Sequence, residues 1–246
     1  MQLYEQLAFA ELNAWEYKMR KAPSIPNRIA KYTQTKINNI IPEKVHQGIT
    51  FAIEKMVKGV LFGSKYLTSS PLQGASLEVR ETMVRKKIEA YRNTASAEGA
   101  ITGAGGILMG FADFPAFLTI KIKLLFEVAA LYGYQVKEYK ERLFILHIFQ
   151  LAFSSQRGRN EVVELIADWD NHSQRLSEDV DDFDWRKFQL EYRDFIDLAK
   201  MAQLVPVIGA GVGAIANYKL VNLLGDTAMN CYRLRYFSTE NKQITN

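Results

Sequence analysis

The chain has 246 residues, of which 48% are hydrophobic and 24% charged, and its net charge is +4. This composition excludes a disordered chain, and the mean hydropathy of −0.14 disfavours a polytopic membrane protein. The single cysteine, Cys231, excludes an intramolecular disulfide, and the first residues lack the charged and apolar regions of a signal peptide. We therefore expect a protein that is cytoplasmic or lies on the cytoplasmic side of the cell membrane.

Helical periodicity extends along almost the whole chain, and no segment alternates as a strand does. In the first part of the chain, the spacing predicts helices over residues 4–21, 27–40 and 42–66. A loop follows around Pro71 and Gly74, and a long charged helix then leads from Ser76 towards Gly99.

An apolar run over residues 99–120 contains Asp113 as its only charged residue. Because Pro115 interrupts this run, the pattern predicts an apolar helical hairpin rather than one continuous span. Asp113 is placed to cap the second helix, and Lys121 and Lys123 are expected to mark a return to polar surroundings. A buried hairpin and a shallow membrane insertion both fit this pattern.

Helices are also predicted for the remaining part of the chain. The helix after Pro115 is expected to end at Gly133, and a core helix then covers residues 139–154. An acidic helical stretch follows over 160–184 with a break near its end, and another helix covers 185–203. The last helix begins after Pro206 and is expected to end near Tyr236.

These elements predict an all-α protein that forms a single multi-helix bundle over residues 1–246. We divide it into a basic N-terminal part (1–70), a helical core (71–237) and a frayed tail (238–246). The N-terminal part carries ten Lys and Arg against five Asp and Glu, whereas residues 168–197 carry four against ten. The basic part suits anionic lipid headgroups or simply forms solvated helix faces. It lacks the dense basic motif of a nucleic-acid-binding protein.

Glycines four residues apart make side-chain-free stripes on a helix, where another backbone can approach closely. Two such segments occur, and each glycine costs about 1 kcal/mol relative to alanine in a helix, so offsetting contacts are expected. The spacing predicts glycine-zipper packing or membrane docking at these residues: Gly99, Gly103, Gly106, Gly110, Pro115, Pro206, Gly209, Gly211, Gly213 and Asn217.

Five sequence motifs resemble those of the EcsC family. They are AEGAITGAGGILMGFADFP at 97–115, LYGY at 131–134, VIGAGVGAIAN at 207–217, ELNAWE at 11–16 and FILHIFQLAFSS at 144–155. The resemblance extends over nearly the whole chain and implies an accessory role beside the subunits of an ABC-type exporter. It implies no established reaction, and we assign no role to Gln135, which stands where many relatives carry an acidic residue.

Individual polar residues suggest little chemistry. Glu98 and Asp113 are the weak candidates for a catalytic carboxylate pair, and helix capping is the favoured explanation for Asp113. The segment from Asp168 to His172 contains metal-capable side chains, but neighbours on a helix point apart, so a solvated acidic face is expected. His147 and Cys231 are expected to be buried core residues. We predict no metal and no cofactor.

Three functional hypotheses follow. We favour a non-enzymatic, peripheral membrane protein whose glycine segments dock on lipid or on partner helices. The second hypothesis is a hydrolase or lipid-modifying enzyme with a polar centre near Glu98 and Asp113. The third is a carrier that encloses an apolar ligand, which requires an apolar cavity of several hundred Å3, on the order of other ligand pockets. The sequence does not identify a small-molecule ligand.

Overall fold

The computed structural model describes residues 2–21, 43–62, 70–104, 114–154, 156–177 and 210–244. Within these ranges the protein is all-α, as predicted. The described part contains eight helices: α1 (Leu3–Arg20), α2 (Glu43–Phe62), α3 (Leu77–Ala104), α4 (Phe114–Leu131), α5 (Tyr139–Phe153), α6 (Gln156–Ala167), α7 (Trp169–Gln174) and α8 (Ala210–Ile244). None of these helices combines the length and apolarity that crossing a bilayer requires.

Helices α3 and α8 form the centre of the bundle and run antiparallel. Towards the start of α3, Glu81 contacts Arg233. Further along, Ile88 packs on Gly225, and Arg92 lies over the ring of Tyr218, 4.9 Å from its centroid. Residue numbers therefore rise along α3 as they fall along α8, which fixes the antiparallel register of this pair.

Helix α4 also runs antiparallel to α3. Tyr91 donates a hydrogen bond to Glu127 Oε1 at 2.8 Å. The loop before α3 returns to the end of α4, where the backbone N–H of Leu72 donates to the carbonyl of Ala130 at 2.8 Å. Gly133 follows with φ +95°, a left-handed conformation that glycine adopts without strain. This glycine ends α4 as predicted.

The core is continuous and centres on α5. From Leu143 to Phe153 each residue of this helix is buried, so neighbouring elements must enclose it on all sides. The prediction of a core helix over 139–154 is confirmed. His147 and Cys231 are buried as expected.

Two details of the sequence prediction are wrong. Lys123 is exposed as expected, but Lys121 does not mark polar surroundings, because α4 contacts α2, α3 and α8 and the Lys121 side chain is fully buried. The last helix does not end near Tyr236 but continues to Ile244. At the predicted end point α8 packs on α1, since Phe9 packs edge-on against Phe237 and Tyr236 donates to Glu5 at 2.9 Å.

Other predictions are confirmed or lie outside the described residues. The helices predicted over 4–21 and 42–66 correspond to α1 and α2, and the loop at Gly74 is present. The helices predicted over 27–40 and 185–203 lie outside the described residues.

We expect Gly225→Ala to lower the free energy of unfolding by about 1 kcal/mol. The new Cβ would lie 2.5 Å from Ile88 Cδ1 and 2.7 Å from Ile88 Cγ1. Overpacking of this kind costs about 1–3 kcal/mol, whereas the gain in helix propensity is about 1 kcal/mol. Urea denaturation measures the difference. Adding Ile88→Val removes the Cδ1 methyl and should recover part of the lost stability. An unchanged urea midpoint for Gly225→Ala alone would contradict the close packing.

Candidate functional site

The predicted docking residues divide between described and undescribed parts of the chain. Gly99 and Gly103 lie in the last turns of α3, and Pro115 is the second residue of α4, where its missing N–H is harmless. The first part of α8 contains Gly211, Gly213 and Asn217. Glu98 belongs to α3. Five predicted positions lie outside the described residues: Gly106, Gly110, Asp113, Pro206 and Gly209.

The two glycine segments, which are far apart in sequence, come together at one end of the bundle. Eleven residues along α3 from Ile88 lead to Gly99, and twelve residues back along α8 from Gly225 lead to Gly213. At 1.5 Å per residue, both glycines lie about 17 Å beyond the Ile88–Gly225 contact. The antiparallel register therefore places Gly99 and Gly213 at the same level of the helix pair.

The start of α4 lies at this same end. From the Tyr91–Glu127 hydrogen bond, the last residue of α3 and the first residue of α4 are both about 20 Å away along their helices. We call this region the glycine end, comprising residues 99–104 of α3, 114–117 of α4 and 210–217 of α8. Close contact between its glycine stripes stays a prediction.

A buried ion pair lies towards the opposite end of α3 and α8. Arg233 donates through Nε to Glu81 Oε1 and through Nη2 to Glu81 Oε2, each at 2.6 Å. Tyr132 donates to Glu81 Oε1 at 3.0 Å, and Tyr4 donates to Oε2 at 2.6 Å. Glu11 of α1 accepts the remaining Arg233 Nη1 at 2.9 Å. The pair therefore connects α1, α3, α8 and the turn after α4.

Electrostatics within this cluster favour the ionised pair. Burial alone would raise the pKa of Glu81, but hydrogen bonds from Arg233 and Tyr4 outweigh it and hold the pKa below its ordinary value. Burial would lower the pKa of Arg233, yet Glu81 raises it above its ordinary value. Burial raises the pKa of Tyr132, so its hydroxyl stays a donor. The cluster behaves as a fixed structural element at neutral pH.

A second buried ion pair joins α5 to α8. Glu141 accepts hydrogen bonds from Tyr232 at 2.6 Å and from Arg235 Nη1 at 2.7 Å. The Arg235 guanidinium also lies 3.7 Å from the centroid of the Tyr134 ring, which is a cation–π contact. Arg233 and Arg235 are two residues apart, so they lie on roughly opposite sides of α8 and enter two different parts of the core.

An open cleft of about 610 Å3 lies between α1, α3 and α8, beside the Glu81–Arg233 pair. We call it the polar cleft. Its described lining residues are Glu11, Trp15, Arg85, Ile88, Glu89, Arg92, Asn222, Asp226, Met229, Asn230 and Arg233. This lining is mostly polar and charged, so the cleft differs from the apolar cavity that the carrier hypothesis requires.

The charges in the cleft are not all paired. Arg85 donates to Tyr4 and Glu81, and Arg92 lies 3.8 Å from Glu89. By contrast, the Asp226 carboxylate has no hydrogen-bond or ion-pair partner in the described part of the chain. Partial desolvation by the surrounding protein raises the pKa of Asp226, although Arg233 opposes this shift.

The described part of the acidic segment after α6, up to Ser177, shows no metal-binding geometry. Asn171 donates a hydrogen bond to Asp168, and burial lowers the pKa of His147 to about 4 while Gln150 bonds its Nδ1 at 2.9 Å. Among the described residues, no group of three His, Cys, Asp or Glu side chains is arranged to hold a metal ion. Burial raises the pKa of Cys231, which is therefore a thiol at neutral pH.

The sequence did not indicate the buried ion pairs or the polar cleft. Glu81 stands in a helix rich in charge and has no local feature that separates it from solvated neighbours. Arg233 and Arg235 follow the apolar stretch around Cys231, which is a weak signal of burial. Pairing across 152 positions leaves no local pattern.

Comparison with known proteins agrees with the resemblance in the sequence motifs. A model of the EcsC protein family matches residues 6–237. The chain is 42% identical to Protein EcsC of Bacillus subtilis (strain 168), covering 94% of this chain and 95% of that protein. It is 28% identical to Uncharacterized protein YdbA of the same organism, covering 95% and 92%. No solved structure matches significantly.

We expect Glu81→Gln to reduce the free energy of unfolding strongly, because it leaves the buried Arg233 without its main counter-ion. Breaking a buried ion pair by removing one partner costs about 3–5 kcal/mol. Glu161→Gln is the matched control, since this exposed residue of α6 undergoes the same change of charge outside the core. Equal urea midpoints for the two variants would exclude a structural role for the pair.

The same pair predicts a loss of stability in acid. Because the pKa of Glu81 is lower in the folded state than in the unfolded chain, its contribution is complete above the unfolded pKa and is lost as pH falls through the folded pKa. The free energy of unfolding should therefore decline more steeply below pH ~4 in the wild type than in Glu81→Gln. If the free energy of unfolding falls with pH equally in both proteins, groups other than Glu81 cause the acid sensitivity.

Proposed function

Because this chain belongs to the EcsC protein family, we propose that it is a non-enzymatic, membrane-associated accessory protein of an ABC-type exporter. In this proposal, the glycine end docks on lipid or on transmembrane helices of the exporter. The observation that supports it is the convergence of two glycine-bearing helix ends, from α3 and α8, at one end of the bundle. A docking surface needs such convergence, whereas two separate glycine stripes would offer only narrow contacts.

The glycines of the glycine end lower the stability of their helices. Gly99 and Gly103 in α3 and Gly211 and Gly213 in α8 are all helical, and each destabilises its helix by about 1 kcal/mol relative to alanine. A close helix contact offsets this cost, because backbones approach where side chains are absent. Because such contacts do not rely on the hydrophobic effect, they can form between helices inside a bilayer. Partner helices of a membrane protein are therefore suitable ligands for the glycine end.

Exposed residues near the glycine end add an amphipathic rim. Ile215 is 58% exposed and Tyr218 is 43% exposed, and both lie in the first turns of α8. The adjacent Lys219 is also exposed. Tyrosine and lysine beside an apolar side chain suit the headgroup region of a bilayer. This rim supports a membrane surface as the place where the glycine end operates.

The enzyme hypothesis has one supporting observation. Glu98 lies in the part of α3 that reaches the same end of the bundle as the start of α4, and Asp113 immediately precedes α4 in sequence. A hydrolase or lipid-modifying centre would lose activity when Asp113 becomes Asn. A capping role for Asp113 would change stability by only about 1 kcal/mol.

We expect leucines at Gly99 and Gly213 to release the protein from membranes. Leucine side chains at these positions would hold a partner backbone away, while helix propensity would rise. The wild type should stay in the membrane fraction after a high-salt wash and should co-purify with the exporter subunits. The Gly99→Leu/Gly213→Leu variant should shift to the supernatant and lose the co-purification.

The control places two leucines elsewhere. Asn13 of α1 and Asn160 of α6 are exposed helical positions outside the glycine end, so Asn13→Leu/Asn160→Leu should fractionate as the wild type does. Thermal denaturation of each variant checks that it is folded. Release of the wild type by salt alone, or identical retention of both double variants, would contradict docking through the glycine end.

A further inference from the structure

The polar cleft has a charge balance that selects the kind of ligand it takes. Around it, the carboxylates of Glu11, Glu81, Glu89 and Asp226 face the guanidinium groups of Arg85, Arg92 and Arg233. Each arginine has a nitrogen within 3.8 Å of a carboxylate oxygen. Arg85 and Arg233 pair with Glu81, and Arg92 pairs with Glu89. Asp226 is the carboxylate left over. The unbalanced charge of the cleft is therefore negative, although the whole chain is positive.

Neutral oxygen acceptors flank this carboxylate. Asn222 and Asn230 precede and follow Asp226 by one helical turn on α8 and also line the cleft. Asn230 is only 9% exposed, so it forms part of the floor. Its Nδ2 donates to the backbone carbonyl of Asp226 at 2.8 Å, but its side-chain oxygen accepts no hydrogen bond from the described residues. A buried oxygen without a donor is costly, and a ligand N–H would satisfy it.

The remaining wall of the cleft is apolar. Ile88 and Met229 are less than 8% exposed and line the cleft together with Trp15. These side chains suit an alkyl chain, and the indole ring also attracts cations. The polar positions on α8 repeat every four residues, which is a step of about 6 Å. A short alkyl chain between two amines spans a similar step.

We propose that the polar cleft binds a linear diamine or polyamine. One ammonium group pairs with Asp226, a second reaches the amide oxygens of Asn222 or Asn230, and the alkyl chain lies along Ile88 and Met229. An ammonium has three N–H donors and no acceptor, which matches the Asp226 carboxylate and the side-chain oxygen of Asn230. An anion would meet arginines that already have partners. This site is independent of the docking proposed for the glycine end.

Isothermal titration of the full chain with putrescine and spermidine tests the proposal. We expect saturable binding at one site, with spermidine stronger than putrescine because it carries one more ammonium. Asp226→Asn should weaken the binding at least tenfold. Asn is nearly isosteric, and Asp226 is exposed to solvent in the cleft, so this variant should keep the thermal stability of the wild type.

Glu161→Gln is the matched control, because it removes an exposed carboxylate of α6 outside the cleft and should leave the affinity unchanged. An equal loss in both variants would overturn the proposal by showing diffuse charge attraction. Absence of polyamine binding to the wild type would also overturn it. Binding of a lysine-rich peptide at Asp226, without binding of spermidine, would overturn it as well. That result would assign the cleft to a protein partner.

Discussion

The Glu81–Arg233 pair is the interaction on which the arrangement of the other helices depends. A buried charge is expensive unless its partner meets it with good geometry, and here both carboxylate oxygens receive a guanidinium N–H at 2.6 Å. A shift of α8 by one residue would turn Arg233 by about 100° and leave two unpaired charges in the core. The pair therefore fixes the register of α3 against α8, and with it the level at which every later residue of the two helices meets.

Three regions follow along this helix pair as a result of that register. Near the ion pair, Tyr4 and Glu11 of α1 close the cluster. Next comes the polar cleft, and Gly225 lets Ile88 sit tightly between the two helices at this level. The glycine end lies beyond. The ion pair, the open polar cleft and the glycine-bearing helix ends thus follow one another along one antiparallel helix pair.

Sequence reasoning succeeded where the signal was local. Periodicity located α1, α3 and α5, Pro115 correctly marked the start of a helix, and the apolar neighbours of His147 indicated its burial. It failed where contacts between distant parts of the chain determine whether a residue is buried. A charged side chain in a helix looks the same whether water or a partner far along the chain satisfies it, so the burial of Glu81 and Lys121 was not predicted. Near the predicted end of α8, its residues Tyr236 and Phe237 contact Glu5 and Phe9 at the opposite end of the chain, and no local pattern reveals such contacts.

The glycines of α3 and α8 differ in whether the structure shows what packs against them. Gly225 has a core neighbour, since Ile88 fills the space that a Cβ would take, and its role is therefore settled inside the fold. Gly99 and Gly213 lie at the far end of the same helices, about 17 Å from that contact and further from the ion pair. A glycine stripe that packs on a helix of its own chain can pack on a foreign helix with the same geometry. In the docking that we propose, the ion pair holds α3 and α8 together at one end while the glycine end changes its partner.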